Sequence, residues 1–90
     1  MSLVVTVTVR TTPTRLLVRN DRRVVYTILN EGDYDVYVGF DKNISTTGSS
    51  KGIKVSAHGG VWSDEYHKGD VWAIASTETE VTVVETSEGG

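Results

Sequence analysis

The chain has no cysteine, a single proline (Pro13) and a single phenylalanine (Phe40), and aromatic residues make up only 8% of it. Without cysteine there is no disulfide and no thiolate metal site, and cysteine usage says nothing about redox compartment. No run of ~18 apolar residues is present, which leaves no candidate membrane helix. The stretch from residue 3 to residue 9 is too short and too rich in threonine to read as a signal sequence. No membrane partner is expected. Helical periodicity is also missing over any full window. The formal net charge of −3 gives no reason to expect nucleic-acid binding.

Fifteen valines, twelve threonines and four isoleucines stand in the place of the missing types. β-Branched side chains lose rotamer freedom in a helix and pack well on a pleated surface. Ninety residues, 38% of them hydrophobic, are expected to form one domain, residues 1–90. A chain of this length buries only roughly 60–68% of the surface its unfolded form exposes. A lone monomer is therefore expected to be marginal, and association with copies of itself would supply what the core lacks.

The chain divides into short runs separated by turn residues. Leu3 to Arg10 alternates, with Leu3, Val5, Val7 and Val9 on one face and Val4, Thr6, Thr8 and Arg10 on the other. Arg15 to Arg19 reads as a second strand or an edge segment. Asn20 to Arg23 reads as a polar turn. Val24 to Asn30 is apolar on both faces, as a central or interface strand would be. Asp35 to Phe40, Ile53 to Val55, Val61 to Tyr66, Val71 to Ala75 and Glu80 to Thr86 complete the series. The longest loop, Asp41 to Gly52, is rich in Ser, Thr, Asn and Gly, which favour local hydrogen bonds over a ladder. Residues 87–90 read as a frayed tail. Seven or eight short strands with turns about every ten residues predict an all-β fold, a small antiparallel β-sandwich or barrel.

Charge is unevenly spread. Residues 1–23 carry a sum of +4 and residues 64–90 a sum of −6. Such polarity suits head-to-tail contacts between subunits. The simpler reading is neighbouring strands whose charges pair across one sheet.

Candidate chemistry is sparse. His58 and His67 lie near Asp64 and Glu65, but their spacing matches no metal motif, and they read as loop residues. Glu31, Asp33 and Asp35 crowd one turn without the longer loop and terminal glutamate of an EF-hand. No G-x-S-x-G elbow and no phosphate-cradling glycine loop occurs. The chain is read as not an enzyme, with no cofactor and no metal. Arg15, Arg19, Arg22 and Arg23 are the only cationic cluster, and they flank one short strand rather than form a stripe. The Asn43-Ile44-Ser45 sequon carries no weight without a secretory route. Trp62, Tyr66 and Trp72, with Tyr26, Tyr34 and Tyr37, offer a possible aromatic platform for sugar rings or for a protein partner. Trp72 reads as core or interface, and Trp62, close behind Gly59–Gly60, reads as exposed.

A longer pattern runs from residue 13 to residue 86. A strand ends in Asn30-Glu31-Gly32, followed by Val36-Tyr37-Val38-Gly39, a glycine-introduced strand (Gly52 to Val55), and Val71-Trp72-Ala73-Ile74-Ala75 before the last valine-rich strand. This grammar resembles the small β-rich structural proteins of tailed phages and related viruses, which decorate heads or occur in tails. The resemblance implies a virion location and, as partners, further copies of the chain and a major capsid or tail protein. It fixes no functional residue. The Val/Thr strand before the shared region, within residues 1–12, departs from the pattern and reads as an arm toward a neighbouring subunit. Leu3, Val5, Val7 and Val9 are its expected interface residues, with Trp62 second. The alternative function is a carbohydrate-binding β-sandwich module using exposed Trp or Tyr.

Overall fold

Alternation of period two becomes eight strands in a computed structural model that describes residues 2–48 and 51–88. They are β1 (Ser2–Val9), β2 (Thr14–Leu17), β3 (Arg23–Asn30), β4 (Val36–Gly39), β5 (Ile53–Val55), β6 (Gly60–Asp64), β7 (Val71–Ala75) and β8 (Thr79–Ser87). No α-helix occurs among the described residues. Two four-stranded antiparallel sheets stack, one in the order β1-β8-β3-β6 and the other β2-β7-β4-β5.

The pairings are nested. β1 pairs with β8, β2 with β7, β3 with β6 and β4 with β5. The chain therefore behaves as one long antiparallel hairpin, folded over on itself so that its strands alternate between two sheets. Two further ladders, β3–β8 and β4–β7, close each sheet. This is the strand order of an eight-stranded jelly roll. It decides between the two expected architectures in favour of the sandwich.

Inward-facing valines and isoleucines fill the space between the sheets. Val9, Ile28, Val36, Val38, Val71 and Val83 are essentially inaccessible, and Tyr26 lies among them. β2 buries two consecutive leucines, Leu16 and Leu17, which strict alternation forbids. The register shift between Arg15 and Leu17 turns both inward.

The sheets are tied by polar clasps. Asn30, at the end of β3, is fully buried; its Nδ2 donates to the carbonyls of Tyr34 (2.9 Å) and Val55 (3.0 Å), and its Oδ1 accepts from Gly32 N (3.1 Å). The turn from β5 to β6 crosses between sheets with His58 and Gly59 at positive φ, 62° and 112°. At Gly60, which opens β6, a Cβ would lie 2.3 Å from the Ser56 carbonyl oxygen, so only glycine fits that approach.

Arg23 departs most from its sequence reading. The expected polar turn and cationic cluster place it in solvent, yet it opens β3 with 1% of its surface exposed. Its Nε meets Glu85 Oε2 at 2.7 Å, Nη1 donates to the carbonyls of His67 (3.1 Å) and Gly69 (2.9 Å), and Nη2 to that of Val18 (2.7 Å). Its guanidinium also lies 5.5 Å from the Tyr26 ring centre, and Lys68 Nζ donates to its carbonyl. The polarised charge resolves in the same way. Arg10 reaches Glu78 and Arg15 reaches Asp70, both at 3.8 Å, so basic N-terminal residues meet acidic C-terminal ones within the chain. The first two residues of the expected frayed tail are held in place. Ser87 ends β8 and accepts from Asn20 Nδ2 at 2.8 Å, and Glu88 N donates to the Arg22 carbonyl. Gly89 and Gly90 lie outside the described residues.

Candidate interaction surface

The β1-β8-β3-β6 sheet turns one face to the core and one outward, and its ladders define the outer face row by row. Directly opposed residues of antiparallel strands point to the same side. One row is Ser2, Thr86 and Val25. The next is Val4, Val84, Thr27 and Ser63, and the third is Thr6, Thr82, Leu29 and Val61. None of these residues is charged, although 23% of the chain is, a fraction that would place two or three charges among them. Several hydroxyls satisfy one another, Ser2 Oγ with Thr86 Oγ1 and Thr27 Oγ1 with Ser63 Oγ, each at 3.1 Å. Val4 is 63% exposed and Val61 59%, at the two margins of the face. Glu80, opposite Thr8, marks its end.

The other sheet differs. Its outward residues include Arg15, Trp72, Tyr37 and Lys54, as the registers place them. The Arg15 guanidinium lies 6.0 Å from the Trp72 ring centre, and Lys54 Nζ meets Asp35 Oδ2 at 3.4 Å.

The four sheet edges also differ. An unpaired edge offers free N–H and C=O groups to any incoming strand, and shortness, bulges, prolines and charges blunt it. β2 has four residues, an irregular register, Arg15, and Pro13 just before it. β5 has three residues and carries Lys54. β6 has five residues and ends on Asp64, whose carboxylate turns inward to accept from the backbone N–H groups of Tyr66 (3.1 Å) and His67 (3.2 Å). β1 runs for eight uncharged residues in unbroken register with β8 and has none of these guards.

The expected interface residues separate on this geometry. Val9 is fully buried in the core of its own chain, and Val5, Val7 and Trp62 pack against that core. Leu3 stays half exposed, because its row continues into Glu85, Tyr26 and Asp64 at the polar end of the sandwich. The residues that β1 offers outward are Val4 and Thr6, on the face the sequence reading left unassigned. The missed signal is the lack of charge at those even positions and at their partners on β8. Trp62 is half-buried rather than exposed, and its Nε1 donates to Tyr26 Oη at 3.2 Å. Burial pushes the Tyr26 phenol above its ordinary 10.0, an effect that neighbouring Asp64 reinforces and the Trp62 hydrogen bond opposes. Tyr26 stays protonated and directs its O–H toward Asp64 at 3.4 Å.

The remaining candidates stay apart. His58 reaches Asp33 at 4.0 Å on the surface, and His67 stacks on Phe40 with ring centres 4.1 Å apart. No group of three or more His, Cys, Asp or Glu suited to a metal ion occurs among the described residues. An open groove of about 240 Å³ runs beside Phe40, Asp41, Asn43 and Lys51, and a smaller one of about 180 Å³ lies beside Glu31 and Glu80. Both are below the usual size of ligand pockets, ~300–1,000 Å³. Compared with known proteins, the chain matches no family model, no curated protein and no solved structure.

Proposed function

We propose that the protein is a non-enzymatic structural component of a virus or phage particle, acting through self-association and contact with other virion proteins. The observation that carries the reading is a jelly-roll sandwich with one uncharged sheet face beside one unguarded edge, β1. Viral capsid domains use this strand order repeatedly, and lectin domains use it as well. Fold alone does not select between those uses, and the surface supports the first. Stacking on sugar rings needs an open aromatic face. Tyr66 is 87% exposed, but Trp62 packs on the core, Trp72 is half-buried with the Arg15 guanidinium over its ring, and Phe40 is stacked on His67. An uncharged sheet face suits contact with another protein surface better than capture of a small ligand.

The test is co-sedimentation of the purified protein with assembled capsid shells and with tails. Saturable binding to one of them is expected. Binding to neither, together with hits on a glycan array, would replace this reading with the carbohydrate-binding one.

A further inference from the structure

We infer that β1 is a self-pairing edge. Two copies join antiparallel through β1 about a two-fold axis, giving one continuous eight-stranded sheet in the order β6-β3-β8-β1 and then β1-β8-β3-β6. The inference rests on the reading of the chain as a self-associating protein and names the surface and the partner, a second copy.

The first support is contrast. The other three edges are short, irregular or charged, and β1 alone is long, regular and uncharged. A strand of eight residues leaves alternate N–H and C=O groups pointing away from β8, and two such edges overlapping over seven residues close roughly six to eight main-chain hydrogen bonds. Main-chain bonds supply the affinity in strand addition, and side chains supply the selectivity.

The second support is self-complementarity. When a strand meets its own copy antiparallel, any charge it carries faces the same charge nearby. Ser2 to Val9 carries none. The sheet continues with its faces matched when even positions oppose even positions. Val4 and Thr6 then meet Val, Thr or Ser on the outer side, and Leu3 and Val5 meet Leu or Val on the inner side. Leu3, half exposed in the single copy, is covered. A charged foreign strand would find no counter-charge on this edge. A second copy pairs seven of the eight positions, Ser2–Thr8 or Leu3–Val9, with Leu or Val against Val inside and Ser, Val or Thr against Thr outside.

The third support is closure. A two-fold contact uses the same patch on both copies and leaves neither half free. After pairing, both margins of the doubled sheet are β6, which ends on Asp64. Growth stops at two copies instead of continuing as a fibre.

Sedimentation equilibrium on the full chain tests the proposal. The wild-type protein is expected at twice its 9.8 kDa chain mass. The double variant Val4→Lys with Thr6→Lys places like charges across the two-fold axis and should raise the dissociation constant roughly a hundredfold. Both positions are exposed, and an unchanged circular dichroism spectrum shows that the fold survives. Val61→Lys, on the far edge of the same sheet, should leave the dimer intact. A wild-type monomer at all concentrations overturns the proposal, and so does a dimer that both lysine variants dissociate equally, which would mean face-to-face packing. A dimer that neither variant affects also overturns it. A dimer that binds no shell or tail sinks only the virion reading. A monomer that binds shells sinks only this one.

Discussion

Arg23 shows how far a side chain can sit from its sequence neighbourhood. Arg22 and Arg23 are adjacent and chemically identical, yet Arg22 is exposed and Arg23 is 1% exposed. The difference comes from partners 44 to 62 positions away, His67, Gly69 and Glu85, which no local pattern reveals. A guanidinium fork can serve one carboxylate and three carbonyls at once, and a lysine cannot. Removing one member of a buried ion pair leaves the other uncompensated, at a cost of ~3–5 kcal/mol. Arg23→Met should therefore lower unfolding free energy by about that amount in urea titration, whereas Arg22→Met should change it by less than ~0.5 kcal/mol. Asn30 is a related case, legible in the sequence only as a strand end before glycine. Its amide holds the carbonyls of Tyr34 and Val55 and so ties one sheet to the other. Asn30→Leu keeps the branched shape and strands those acceptors, at roughly 1–3 kcal/mol each. The same titration should read a loss of at least the lower figure. An unchanged midpoint would mean that water replaces the amide.

The strands themselves were largely legible. Ile53–Val55 and Val71–Ala75 match their expected spans, and the other six differ only at their ends. Alternation and turn residues mark strands because side-chain direction along a strand is a local property. Which strands become neighbours is not local, so the double burial in β2 and the partners of Arg23 could not be read in advance, and the pairing of the basic and acidic ends could be offered only as one of two readings. The β5–β6 turn illustrates the point. Asp35 was read as one of three crowded acids and as the start of a strand, and its Oδ1 accepts from Ala57 N at 2.8 Å. That backbone hydrogen bond, helped by Lys54, holds its carboxyl below the ordinary 3.8. The folded state thus favours the carboxylate, and on acidification the unfolded chain takes up the proton first. Stability from this contact is present above the unfolded value and is lost as pH falls through the lower folded one. Denaturant midpoints taken from about pH 6 to about pH 2 should fall on the acid side, and Asp35→Asn should flatten that fall. An identical slope in the variant would assign the acid sensitivity to other carboxylates.

A body of 37 × 25 × 16 Å is one sandwich thick, and its first strand is joined to its sheet only through the last. The nested pairing therefore makes β1 both the closing strand of the chain and, as inferred above, the joining strand of the pair. If the folded form associates and the unfolded form does not, stability rises with protein concentration. Each tenfold increase contributes ~1.4 kcal/mol per dimer, or ~0.7 kcal/mol per chain. For a domain of this size that corresponds to a melting midpoint higher by about 3–6 °C for each tenfold step. The Val4→Lys, Thr6→Lys variant should melt at one temperature across the same concentrations, near the value that the wild type approaches on dilution. Calorimetry over two decades of concentration reads both outcomes directly. A wild-type midpoint independent of concentration would mean that the small core suffices alone and that β1 is an edge guarded by some means other than pairing with its copy.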